Sequence, residues 1–423
     1  MNAIKLLLLL LGVLVIGQVT DWPVADTLAL ALGGVLVLAF TWSRLSLQGV
    51  SGERLLSSDR SQVGETVRET IRLRNSGLLG KLWVEAVDHS SLPGHDPGRV
   101  VRLPGRGAAD WTASTPCVRR GRYRLGPMTL RAGDPLGLFP TRLALPWTHE
   151  VVIYPPTVPL RDAPSPVAAL DGGATRDRKT PQTTPSIAGI RDYAPGDAYN
   201  RIAWGQTARR GRLMVKEFDL DQTADVWLVI DLEATAHRPA TRPMPFAPDA
   251  RGRWPVEAWL DSTLELAVAA TASLARRFLD EGRSVGLIAT GAHLETIQPD
   301  RGPRQLTKLL EALAVVAADG HMPLAEVLMA EARRFGRSTG LVIVSPSADD
   351  RWAGALAEIA GRRVRATAVV VEADTFAPAP SVLLAVGGLA AASIPVHLLK
   401  YGEPLAVALA GAARGLPIRS GRR

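Results

Sequence analysis

The groups best able to do chemistry concentrate between Gly189 and Phe218, where Arg191, Tyr193, Gly196, Asp197, Arg201, Trp204 and Arg209 follow closely on one another. A guanidinium is a planar, permanently charged fork that pairs bidentately with a carboxylate or a phosphate. Pro195-Gly196-Asp197 reads as a turn whose aspartate accepts bonds from neighbouring backbone. Tyr193 and Trp204 each join a large apolar body to one polar atom, which suits them to pinning an irregular segment against a core. Two chemistries are open: a structural or partner-docking clasp with the arginines forked onto Asp197 or nearby carbonyls, or an anion site in which Arg191, Arg201 and Arg209 hold a phosphate. The clasp is the expectation, because no nucleophile and base accompany the arginines.

The rest of the inventory mostly excludes. None of the seven histidines stands in a Ser/His/Asp or His-Glu-x-x-His context, and no Gly-x-x-x-x-Gly-Lys-Ser/Thr phosphate loop occurs. The single cysteine, Cys117, cannot close an internal disulfide, and no Cys/His set has zinc spacing. On a strand edge in Thr115-Pro116-Cys117-Val118, it reads as a small packed residue. A net charge of +8 admits nucleic acid or anionic lipid as partner. The arginines are scattered, however, and 5% aromatics are too few for base-stacking platforms, so no nucleic acid is expected. The run Arg119-Arg120-Gly121-Arg122-Tyr123-Arg124 reads as a solvated strand face, with a lipid-surface patch as the alternative. No small-molecule substrate is indicated.

The elements that must position these groups fall into distinct patterns. At 423 residues the chain exceeds a single core, so several domains are expected. Residues 1–45 hold two solidly apolar stretches, read as helices over about 3–20 and 22–42 that form a transmembrane hairpin. Trp22 and Trp42 bracket the second stretch, where indoles favour the interface. Lys5 precedes the hairpin and Arg44, Arg54 and Arg60 follow it, while the tip carries only Asp21 and Asp26; this places both termini in the cytoplasm, on the inner (plasma) membrane. A cleaved signal peptide over residues 1–20 lacks an Ala-x-Ala site, and two buried core helices would each need a polar face.

Residues 46–160 turn to near alternation, as in Val67-Arg-Glu-Thr-Ile71-Arg-Leu73-Arg-Asn75, and predict a small β-sandwich. Residues 161–186 read as a linker or exposed loop. From 187 to 423 strand and helix patterns alternate, starting with Asp225-Val-Trp-Leu-Val-Ile230, and predict a doubly wound α/β sheet. Helices are expected over about 256–281, 303–318, 323–335, 352–361 and 403–413. A Pro/Arg-rich insertion between Thr235 and Trp254 reads as a surface loop.

The Gly189–Phe218 string resembles the signature of the domain of unknown function 58 family: Arg191-x-Tyr193-x-x-Gly196-Asp197, Arg201-Ile-x-Trp204, Ala208-Arg209 and Val215-Lys216-x-Phe218. Asp134-Pro-Leu-Gly-Leu-Phe139 is similar to the family's turn at the end of its β-region. The resemblance implies a von Willebrand A-like α/β domain and a MoxR-type AAA+ ATPase as partner. It also implies a divalent-cation loop of the form Asp-x-Ser-x-Ser after the first strand. Here Asp231, Glu233 and Thr235 occupy those positions. Glu233 replaces a serine, and Pro346 stands where an acid is usual, so a degenerate site is expected, with no cofactor; the alternative is a divalent cation such as Mg²⁺ held at Asp231, Glu233 and Thr235. The resulting expectation is a non-enzymatic, membrane-anchored scaffold or adaptor. The alternatives are a membrane-associated hydrolase and an extracytoplasmic adhesion-type protein.

Overall fold

The computed structural model describes residues 2–20, 22–160, 187–193, 202–218, 225–242, 248, 254–336 and 339–410. The expected linker at 161–186 lies outside them. The chain divides into two compact units: Met1–Thr157 with Met244–Asp261 and Leu310–Val316, and Val158–Pro243 with Ser262–Leu309 and Ala317–Arg423.

The first unit opens with helices α1 (Asn2–Thr20) and α2 (Pro23–Ser46), both long and apolar enough to cross a membrane. Pro23 sits at the first helical position, where its missing N–H costs nothing. α2 runs four residues past the expected end at Trp42, because Ser43-Arg44-Leu45-Ser46 contains no breaker. The chain turns only at Gly49, with φ +72°.

Ten strands follow: β1 (Val50–Leu56), β2 (Arg60–Gln62), β3 (Thr66–Asn75), β4 (Lys81–Asp88), β5 (Arg99–Leu103), β6 (Ala108–Pro116), β7 (Gly121–Leu125), β8 (Met128–Ala132), β9 (Thr141–Leu145) and β10 (His149–Tyr154). They form sheets in the orders β1-β3-β6, β2-β10-β7 and β5-β4-β8-β9. Ile71, Leu73 and Trp111 of the first sheet share a core with Val84, Leu103, Met128 and Leu130 of the third, as facing sheets require. Cys117 is fully buried just beyond β6, and burial pushes its thiol above the usual range despite a bond to Ser61.

That core also holds charge. Glu69 lies in register with the inward residues Val67, Ile71 and Leu73, and its carboxylate meets Arg54 Nε at 3.2 Å and His95 Nε2 at 3.3 Å. Arg54 also pairs with Asp88, and His95 Nδ1 bonds Thr115 Oγ1 at 2.8 Å. All four ionisable side chains are essentially excluded from solvent. Such a cluster holds together only while every charge keeps its partner.

The second unit contains a β11 (Ile187–Asp192) and β12 (Met214–Phe218) hairpin enclosing helix α3 (Trp204–Arg210). Then come β13 (Val226–Ile230), α4 (Thr263–Asp280), β14 (Val285–Thr290), β15 (Leu294–Asp300), α5 (Pro303–Val315, counted with the first unit from Leu310 onward), α6 (Leu324–Glu331), β16 (Gly340–Ser345), α7 (Arg351–Gly361), β17 (Arg365–Val371), α8 (Leu383–Ala391), β18 (Val396–Leu399) and α9 (Leu405–Ala410). The sheet order is β15-β14-β13-β16-β17-β18, parallel throughout except for the antiparallel edge β15. β13, β14 and β16 are buried at every residue, as strands covered on both faces must be. Residues of α6, α7 and α8 pack with Trp227, Val229, Leu341 and Ile343.

α4 begins seven residues later than expected. Ser262 caps it by accepting from Glu265 N at 3.2 Å, and the preceding Val256–Trp259 forms a separate 3-10 turn after Pro255.

Candidate functional site

The strand order of the second unit reverses between β13 and β16, so the crevice beyond their carboxyl ends is where such a sheet binds ligands. Asp231 follows β13 there, and Ser345 ends β16. Their side chains join across the switch: Ser345 Oγ donates to Asp231 Oδ2 at 2.6 Å. Glu233 N donates to Oδ1 at 3.1 Å. Asp231 is 0% exposed, and burial pushes its carboxyl up to about 6, against those two bonds and with some help from the charge of Glu233. The main chain around it is held as tightly. Leu232 N donates to Thr290 Oγ1 at 3.0 Å, and Ser347 N to Ser345 Oγ at 2.9 Å.

His237 completes the frame. Its Nε2–H donates to the Asp231 carbonyl at 2.8 Å, and Nδ1 lies 3.1 Å from Thr263 Oγ1 at the start of α4. Thr241 N donates to Phe376 O at 3.0 Å. The first part of the Thr235–Trp254 insertion is therefore a largely solvent-facing segment anchored at the carboxyl end of the first strand, as expected of a surface loop there. Outside this frame lies a solvent-open cleft bordered by Glu233, Thr235, Arg238, Pro346, Ser347 and Asp349. Arg351 holds the Asp349 carboxyl below its usual range through a 2.7 Å ion pair.

The three residues singled out as cation ligands do come together, but their donors are turned on one another. Each oxygen of Asp231 accepts one bond, and Thr235 Oγ1 donates to Glu233 Oε1 at 2.5 Å. Among the described residues no group of three His, Cys, Asp or Glu side chains is arranged to hold a metal ion. In this structure the three residues and Ser345 form a hydrogen-bonded frame.

The signature residues are only partly in view. Gly196, Asp197 and Arg201 lie outside the described residues. Arg191 is in β11, opposite Val215. Tyr193 is half-buried, its N–H bonded to Leu213 O at 2.9 Å. Trp204 does not pin the segment to a core: it opens α3 with 66% of its surface exposed. The physical reason is that α3 buries none of its residues, so Trp204 and Arg209 both face outward. α3 is instead tethered to β12 through Met214. Ala203 N bonds Met214 O at 2.8 Å, Met214 N bonds Thr207 Oγ1 at 3.0 Å, and Gly211 closes the helix at φ +68°, which suits glycine.

Sequence reasoning passed over His237 and the pairing of Ser345 with Asp231. One signal existed: a histidine six residues after a strand-end aspartate, within reach of its carbonyl.

An α/β unit with a cleft at its switch point and an exposed helix tethered to β12, in a chain that also carries two membrane-length helices, defines the class of protein. The model of the family described as "Protein of unknown function DUF58" matches residues 189–242, which include α3 and the Asp231–Thr235 loop. The chain is also 24% identical over 248 residues to "Uncharacterized protein YeaD" of Bacillus subtilis (strain 168), covering 58% of this chain and 56% of that protein. Together the two matches support the DUF58 family. Among solved structures, the CARDB domain of PF1109 from Pyrococcus furiosus is similar over 25% of this chain and 94% of its own, at 17% identity and TM-score 0.19. A β-glucosidase from Listeria innocua matches over 25% and 16%, at 10% identity and TM-score 0.17. At those scores neither likeness bears on fold or activity.

Proposed function

We propose that the chain is a membrane-anchored, non-catalytic scaffold that faces the cytoplasm and presents a von Willebrand A-like α/β unit to a MoxR-type AAA+ ATPase. The observation that carries this reading is the outward display of Trp204 and Arg209 on α3. Exposed Trp and Arg are among the residue types most enriched at the energetic centres of protein interfaces, and a helix tethered to β12 through Met214 presents them at a reduced ordering cost. The sheet order and the strand-end Asp231 support the von Willebrand A-like reading. Asp231 has its oxygens engaged within the frame, which favours support over catalysis. The apolar surfaces of α1 and α2, with cations only on the outer flanks, support a hairpin whose termini face the cytoplasm.

The test is co-purification of the full chain, in detergent or nanodiscs, with a MoxR-type ATPase. Binding is expected, and Trp204→Ala should weaken it by about tenfold or more, as loss of an interface-centre aromatic does. No association of the wild-type pair would sink the proposal. A reporter active only in the cytoplasm, fused to the C-terminus, must be active; silence would reverse the topology.

A further inference from the structure

From the geometry around the end of α2 we infer that one end of the β-sandwich is a lipid-contact surface, seated in the headgroup region beside the hairpin. The inference rests on the membrane-anchor reading above. If Trp22 marks one boundary of the hydrocarbon layer, ~20 residues at 1.5 Å each bring the other boundary to Trp42.

Two loops of the sandwich lie at that level. The β8–β9 turn packs Phe139 edge-on against Phe40, two residues to the bilayer side of Trp42, at 5.6 Å between ring centres. Ser43 Oγ donates to Phe139 O at 2.6 Å and lies 2.6 Å from Thr141 Oγ1. The β3–β4 loop reaches the helix from another direction. Leu79, Leu82 and Trp83 line one small cavity with Trp42 and Leu45, and the Lys81 ammonium donates to Leu45 O. Lys81 thus caps the carbonyl end of α2, and burial holds its pKa below the usual value.

Both loops are built rigidly, yet they hold apolar side chains away from the core. Asn75, itself buried, bonds Leu79 O and Pro104 O at 2.9 Å each and accepts from Gly77 N at 3.0 Å. Leu78 and Leu79 are nevertheless 75% and 59% exposed. Buried Asp134 accepts from the N–H groups of Leu136, Leu138 and Phe139, which leaves Leu136 at the apex, 60% exposed. Rigid apolar apices continuous with the end of a membrane-length helix fit an interfacial lipid layer. Arg44, lying over the Phe40 ring at 5.8 Å, supplies a cation at the same level.

The test uses the full chain in vesicles containing anionic lipid, with an environment-sensitive NBD fluorophore at Leu79→Cys or Leu136→Cys. Leu30→Cys in α2 reports the anchor, and Ser58→Cys, beyond the opposite end of β1, serves as the aqueous control. Probes at 79 and 136 should be blue-shifted, quenched by lipids brominated near the carbonyl, and about threefold less accessible to iodide than the probe at 58. A lipid-embedded probe at 30 with water-exposed probes at 79 and 136 would overturn this inference while leaving the anchor standing. Probes at 79 and 136 shielded from iodide but untouched by brominated lipid would mean a protein occupant, which also overturns it. A water-exposed probe at 30 would remove both readings.

Discussion

Replacing Asp231 with asparagine separates a frame residue from a cation ligand. Burial raises the Asp231 carboxyl from an ordinary 3.8 to about 6. At 1.36 kcal/mol per pH unit that gap corresponds to about 3 kcal/mol. The folded value lies above the unfolded one, so folding favours the protonated form. The group costs nothing below pH ~4, and stability falls as pH rises through the window from ~4 to ~6. Above that window the native state carries a buried carboxylate. Asparagine removes the charge and keeps an acceptor for Glu233 N–H; its amide must then donate to Ser345 Oγ, at a cost of about 1 kcal/mol for the charge-assisted bond that is lost. The net expectation at pH 7.5 is a gain of about 2 kcal/mol, or an α/β-unit Tm higher by about 4–8 °C. The measurement is differential scanning calorimetry of wild type and Asp231→Asn at pH 4.5 and 7.5, with and without Mg²⁺. The advantage of the variant should shrink at the lower pH. A variant less stable than wild type at pH 7.5 without metal would refute the argument. So would Mg²⁺ raising the wild-type Tm but not the variant's, since Asp231 would then be a cation ligand.

Three other perturbations probe the first unit. Arg54→Met leaves Glu69 and Asp88 buried without their guanidinium and should destabilise the sandwich by about 3–5 kcal/mol in urea unfolding, with Glu69→Gln in the same chain restoring part of the loss. Asp134→Ala deprives three backbone N–H groups of their acceptor, a loss of about 2–3 kcal/mol, and should expose the 136–139 turn to limited proteolysis. Cys117, buried and with its thiol held above the ordinary range, should resist a disulfide-exchange reagent at pH 8 in the native protein and react fully once guanidinium unfolds it.

Periodicity located most of the elements because it is a local property. The buried runs Val226–Ile230, Gly340–Ser345 and Arg365–Val371 sit where their Val- and Ile-rich sequences put them. Where a pattern was weak, elements escaped. β15 is an exposed edge strand with no apolar face, and α8 contains Gly387-Gly388 and no clear polar stripe, so neither announces itself. The start of α4 was legible in principle from Ser262 and Glu265, a capping box that outweighs the helical pattern before it.

The chemistry was less legible, because it depends on residues far apart in the chain. Alternation through β3 assigns Glu69 to the inward face, yet only Arg54, Asp88 and His95, brought in from β1, β4 and the loop after β4, show why a charge is tolerated there. Asp231 and Ser345 are likewise joined by sheet order rather than by sequence, and the pairing engages one of the oxygens that a motif reading assigns to a cation. Asp134 is the opposite case. All three of its partners lie within five residues, so Asp134-Pro-Leu-Gly-Leu-Phe139 can be read as a self-contained turn before any fold is known. What that turn is for emerges only when Phe139 meets Phe40 and Ser43, at the point where α2 passes into the sandwich.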